Sequence, residues 1–179
     1  GGVESVGEVG DGRECWMRYK VTLDKPGKKD VVVPFLKKGE TAEVLGLVLG
    51  GKRGDYELNV IMEHKVGQTK GRVEIRGFAK NGARVKVTGL IKIDKKAQEV
   101  DDFLEMRVLM LDDKSWAVVE PRLEIEANQV KASHAATVSK INEEELFYLA
   151  SRGIDREEAE ELIVDGFLKD ITDKIKSNV

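Results

Sequence analysis

From residue 18 to residue 138 the chain repeats one local pattern, and that repetition limits what it can become. Short runs alternate apolar and polar residues, the period of a half-buried strand, and no helical period interrupts them. The runs are Arg18–Leu23, Val31–Leu36, Glu43–Leu49, Tyr56–Glu63, Arg72–Ala79, Ala83–Ile93, Glu105–Leu111 and Trp116–Glu120, with Arg122–Val138 closing the series. Turns rich in Gly, Asn, Asp and Lys separate them, including Pro26-Gly27, and strand centres recur at intervals of roughly 13–16 residues. A body made only of such strands is a sandwich, a barrel or a solenoid. Asn81-Gly82 is the one clear tight-hairpin signal. VEIRGFA and VKVTGLIKI share a length and an inner pattern of Val, Ile and Gly. This favours a parallel β-helix in which each strand stacks on the strand one coil earlier. No strict hexapeptide or nonapeptide repeat is present, so the sequence does not support a hexapeptide-type acyltransferase helix. Pro34 marks an edge or a bend.

The tail changes period. Asn142 with Glu145 makes a capping-box pattern that predicts a helix over 143–152, and Gly153 stands where a left-handed C-terminal cap is needed. Asp155 with Glu158 repeats the cap signature for a second helix. In it Ala159, Leu162, Ile163, Phe167, Ile171 and Ile175 form one face, and Glu158, Glu160, Glu161, Lys169 and Lys174 fall away from it. The chain therefore divides into residues 1–14, a loop or the end of a longer segment; 15–138, the β core; and 139–179, a helical subdomain.

Composition narrows function. Charged residues are 35% with a net charge of −3, both signs interspersed, which leaves no basic field for nucleic acid or an anionic membrane. No apolar run reaches the length of a membrane span and no signal peptide is visible, so a cytoplasmic protein is expected. One cysteine, Cys15, excludes an internal disulfide framework. His134, between Ser133 and Ala135, has the chemistry of a metal ligand or proton shuttle; the plainer reading is a strand-end histidine bonded to backbone. His64 reads as a surface or turn histidine, and Cys15 beside Trp16 as a packed thiol or a ligand. The pairs Asp101-Asp102 and Asp112-Asp113 read as solvated turn carboxylates. No phosphate loop, nucleophile elbow or metalloprotease motif appears, and a non-enzymatic protein is expected. Leu146, Phe147 and Tyr148 in a row cover more than one helical face, so part of them is either an exposed anchor for a partner or buried between the helices.

Read together, VKASHAATVSKINEEELFYLASRGIDREEAEELIVDGF resembles the C-terminal region of the SufB/SufD family of iron–sulfur cluster assembly proteins. The match is dense over residues 121–168 and looser upstream, where the His64…Gly67…Thr69…Gly71 run resembles part of the family's β core. The resemblance implies a right-handed parallel β-helix followed by a helical subdomain. It also implies a homodimer or a SufB–SufD heterodimer formed through the β-helix. The terminal helices are expected to dock a SufC-like ABC-type ATPase, with Phe147, Tyr148, Arg152, Gly153, Ile163, Gly166 and Phe167 on the docking surface. His134 matches the family histidine at the subunit interface. No permanently bound cofactor is implied; an iron–sulfur cluster would be transient cargo, with His134 and Cys15 the only ligand candidates. The chain departs from the pattern at three places. Met106 stands where SufB-type members carry a cysteine, Ala135 where they carry a glutamate, and Ala132 where SufD-type members have a cysteine. Two other functions fit a β-helix: an enzyme acting on polysaccharide, which needs aromatics and paired acids along a groove, and a structural solenoid that binds a protein without metal.

Overall fold

The computed structural model describes residues 3–6 and 16–177. Ten strands precede two helices: β1 (Val3–Val6), β2 (Trp16–Leu23), β3 (Gly27–Phe35), β4 (Thr41–Gly50), β5 (Gly54–His64), β6 (Lys70–Ala79), β7 (Ala83–Ile93), β8 (Val100–Met110), β9 (Trp116–Ile125), β10 (Val130–Lys140), α1 (Glu143–Ser151) and α2 (Arg156–Lys176). Successive strands alternate between two sheets, ordered β1-β2-β4-β6-β8-β10 and β3-β5-β7-β9. Every pairing is parallel except β1 with β2. This is a β-solenoid of about four turns, each turn giving one strand to each sheet.

Register explains the spacing seen in the sequence. Thr41 pairs with Lys70, Lys70 with Asp101 and Asp101 with Lys131, so a coil advances by 29, 31 and 30 residues. Half a coil is one strand and one turn. Parallel pairing holds residues of like orientation above one another, and the interior becomes continuous rows. One row runs Val33, Met62, Ile91, Leu123; another runs Val44, Val73, Leu104, His134. The corners repeat as well. Gly39, Gln68 and Glu99, all at positive φ, occupy equivalent positions, and Gln68 N–H donates to the carbonyl of Gln98 at 2.9 Å.

Several local expectations change. Asn81-Gly82 does not close a hairpin; it turns the chain from β6 in one sheet to β7 in the other. Pro121 does not end a strand. It lies inside β9, paired in register with Gly89, and a residue without N–H is tolerated there because β9 is an edge. The break falls instead at 126–129. Asp101 and Asp102 belong to β8 rather than to a turn, while Asp112 does hold a turn by accepting from the N–H groups of Asn81, Lys114 and Ser115. Within residues 1–14, Val3–Val6 forms a strand rather than a loop.

Both helices begin as their caps predict: Asn142 Oδ1 accepts from Glu144 N–H and Asp155 Oδ1 from Glu158 N–H. Gly153, at φ 87°, turns the chain between them. α2 lies on the outer face of the six-stranded sheet, where Leu168 and Ile171 meet Leu45 and Leu47. Polar contacts hold its second half: Lys174 to Glu74 and Lys20 to the carbonyl of Ile175 near the end, and Arg76 to the carbonyl of Phe167 at 2.8 Å in the middle. Two assignments on the helix reverse. Leu162 is 50% exposed, and Glu160 is buried, held by Lys80 at 2.8 Å and by Arg156 at 3.0 Å.

Candidate functional site

Three features deserve comparison: a sealed polar cluster, an open solenoid end and an exposed helical surface. The cluster is the one the sequence misplaced. His64 closes β5 and is fully buried, in an inward row between Phe35 and Ile93. Its ring stacks on Phe35 with centroids 4.1 Å apart and planes 8° from parallel. Nδ1 lies 2.7 Å from Thr69 Oγ1, and Nε2 lies 2.8 Å from Asp102 Oδ2, which reaches across from the opposite sheet. Thr69, His64 and Asp102 thus follow the order of a nucleophile–base–acid triad. All three are sealed from solvent, so no substrate reaches the hydroxyl, and the cluster joins the two sheets instead.

The spacing His64…Gly67…Thr69…Gly71 now has a physical cause. A Cβ on Gly71 would stand 2.1 Å from Asp102 Oδ2, and one on Gly67 would stand 2.1 Å from the carbonyl oxygen of Gln98. The two glycines leave the room in which the carboxyl and the neighbouring coil fit. Those glycines, three and seven residues after the histidine and on either side of Thr69, were the available signal that His64 is interior.

Burial pushes the Asp102 carboxyl above its ordinary value of 3.8, against the opposing pull of its bond to His64. Its Oδ1 is buried without a partner, which also disfavours the ionised form. The Thr69 hydroxyl lies 3.4 Å from the carbonyl of Val66, and the two ring nitrogens of His64 are hydrogen-bonded, Nδ1 with the Thr69 hydroxyl and Nε2 with the Asp102 carboxyl.

The second feature is the end of the solenoid. His134 lies on β10, an edge strand, in register with the buried Leu104. It therefore faces inward, on the row of Val44, Val73 and Leu104, with no further described coil beyond it. Along the row Val33, Met62, Ile91, Leu123, exposure is 0% for the first three and 37% for Leu123. Ile125, in register with the buried Ile93, is 40% exposed. Ala132 and Ala136 stand next to His134 on the same inward side, above Asp102 and Met106; Ala135 points outward, in register with Glu105. Met106 is fully buried one coil below. Cys15 lies outside the described residues. Among the described residues no three His, Cys, Asp or Glu side chains gather to hold a metal ion.

The third feature is the helical pair. Phe147 is 77% and Tyr148 57% exposed, and the Arg152 guanidinium stacks on the Tyr148 ring at 5.2 Å. Tyr148, Leu149 and Ile163 line a groove between α1 and α2, with Glu144 and Glu145 at its rim. Gly153 forms the adjoining turn and Gly166 is exposed. Phe167 does not join this surface. It turns toward the sheet, packed with the Phe78 cluster and beneath Arg76, whose guanidinium is 5.7 Å from the ring. No described helix is long and apolar enough to cross a membrane.

The sealed cluster makes a testable statement about pH. Asp102 holds its proton more tightly folded than unfolded, so its contribution to stability is fullest below the unfolded value of 3.8 and falls as pH rises through the raised folded value. Asp102→Asn keeps a donor for His64 Nε2, and chemical denaturation across pH should show this slope flattened with little loss of stability. Asp102→Ala leaves that nitrogen buried and unpaired and should cost about 1–3 kcal/mol.

The family model described as the SufBD core domain of SUF-system FeS cluster assembly matches residues 23–167. Iron–sulfur cluster assembly SufBD family proteins of Staphylococcus aureus (strain USA300) and Staphylococcus haemolyticus (strain JCSC1435) are each 34% identical over 141 residues. That alignment covers 79% of this chain and 30% of each relative, so the chain spans under a third of the length of these relatives. The chain belongs to the SufBD family of iron–sulfur cluster assembly proteins.

Proposed function

We propose that this chain is the core of a non-catalytic scaffold subunit for iron–sulfur cluster assembly. It pairs with a second SufB/SufD-type subunit through the open end of its solenoid and receives a SufC-like ABC ATPase on α1 and α2. The observation that carries the pairing is the unfinished core. Leu123 and Ile125 continue rows that are fully buried in every earlier coil, yet they are 37% and 40% exposed. β9 and β10 also present the free hydrogen-bonding edges of both sheets. A second solenoid end satisfies the apolar rows and the edges together, whether it comes from another copy or from a related subunit.

On this reading the cluster is cargo and not a resident cofactor. His134 faces inward on the terminal row and is this chain's donor at the junction. Met106 and Ala132 supply no thiolate, so sulfur ligation falls to the partner or to Cys15. ATP chemistry belongs to the docked ATPase, and the assembly is read as cytoplasmic, with neither nucleic acid nor membrane as a partner. A groove-acting polysaccharide enzyme gains no support: Asp102 is sealed, and the exposed aromatics of the described residues are Trp116, Phe147 and Tyr148, the last two on the helical pair.

Two experiments test the two contacts. Sedimentation equilibrium should give twice the chain mass for the isolated protein, or a one-to-one complex when a SufB/SufD-type partner is added. Ile125→Lys should return the monomer with its melting temperature preserved; a wild type that stays monomeric with every such partner contradicts the pairing. Phe147→Ala with Tyr148→Ala should weaken retention of the ATPase from the same organism at least tenfold, because exposed aromatic anchors carry much of such interfaces. Unchanged retention would remove the helical pair from the docking surface.

A further inference from the structure

The helical pair is far more acidic than the chain that bears it. Residues 142–165 contain nine carboxylates (Glu143, Glu144, Glu145, Asp155, Glu157, Glu158, Glu160, Glu161, Asp165) and two guanidiniums (Arg152, Arg156), a net of −7 on a chain whose total is −3. Part of this has a local cause. Asp155 is an N-cap, the first-turn acids suit the helix dipoles, and Glu143 and Glu160 are taken up by Arg156 and Lys80. Glu157 and Glu161 act on Lys80 at longer range.

Asp165 has no such cause, and among the described residues Glu144, Glu145, Glu158 and Glu161 form no salt bridge. Glu161 and Asp165 lie beyond the first turn of α2 and are like charges at i,i+4, while Glu158 and Glu161 are like charges at i,i+3. Both pairings destabilise a helix. Leu162 sits among them, half exposed, between Glu158 at i−4 and Asp165 at i+3. α1 repeats the arrangement, with Tyr148 flanked by Glu144 at i−4 and Glu145 at i−3, both at the rim of the groove. Among the described residues Glu144, Glu145, Glu158 and Asp165 are exposed and none forms a salt bridge. Exposed apolar side chains ringed by unneutralised carboxylates match a surface that is apolar and basic.

We infer that the α1–α2 surface takes a basic protein segment. Lys or Arg side chains of the partner neutralise the carboxylate collar while an apolar side chain enters the groove between Tyr148 and Ile163. The inference rests on the docking reading above and adds the chemistry of the partner's contact surface. The repulsion stored along α2 is relieved on association, and the collar steers the encounter.

Titration of the ATPase against the chain at 50 and 300 mM salt tests this. Wild-type affinity should fall about tenfold across that range, as expected for exposed charges at the edge of an interface. Glu161→Gln with Asp165→Asn should weaken binding about three- to tenfold at 50 mM and reduce the salt dependence. The same substitutions should leave the melting temperature unchanged or raised, since they remove a like-charge pair. Glu144→Gln with Glu145→Gln should act on binding in the same direction. If binding is indifferent to salt and to all four substitutions while the Phe147/Tyr148 alanine pair still abolishes it, docking stands and the basic-partner inference fails. If the wild type binds no ATPase at either salt, the docking reading fails and takes this inference with it.

Discussion

In a parallel solenoid each coil is the lid of the coil before it, and the rest of this molecule follows from that dependence. A residue such as Ile91 is covered by the facing sheet and by the coils on both sides of its own, and it is fully dry only when the next coil is in place. Rows such as Val33, Met62, Ile91 and Leu123 remain dry as long as another layer follows. Among the described residues the final layer has no successor, and its residues carry the exposure that earlier layers shed. Interiors built this way end in a surface that looks like core, and β9 and β10 make that surface.

Polar groups enter such an interior only with partners, and here they are used as a tie between the sheets. His64 from one sheet meets Asp102 from the other, Thr69 completes the set, and glycines at 67 and 71 keep the space. The helical tail is tied down by different means. Its apolar residues cover Leu45 and Leu47 on the outside of the solenoid, and Glu74, Arg76 and Lys20 hold the second half of α2. The near end is left with its aromatics outward. The two exposed regions therefore have different origins: one is an interior that ran out of coils, the other a helix pair whose second face was never covered.

Much of this was legible in the residues. The strand series, the change of period at Asn142, both helix caps and Gly153 follow from local rules, because caps and alternation are set by neighbours in sequence. The resemblance to the family is carried by the tail's residues 121–168. What escaped is what depends on stacking. Asp101-Asp102 reads as a turn because two acids in a row are common there, and only the register of β8 on β6 shows Asp102 to be interior. His64 reads as a surface or turn histidine for the same reason. Pro121 falls between the runs Trp116–Glu120 and Arg122–Val138, and nothing local shows that β9 is an edge where its missing N–H costs nothing. Leu162 and Glu160 exchanged places on α2 because a helical wheel shows periodicity but not which side meets the sheet.

The claim that matters most is that the last coil is finished by another solenoid. Amide hydrogen exchange over a dilution series, with the SufB/SufD-type partner absent and present, reads it directly. The account predicts that amides of β9 and β10 lose protection on dilution of the isolated chain, or gain it on adding the partner, while those of β6 and β7 keep theirs throughout. Protection in β9 and β10 that is independent of concentration and of every such partner would contradict it.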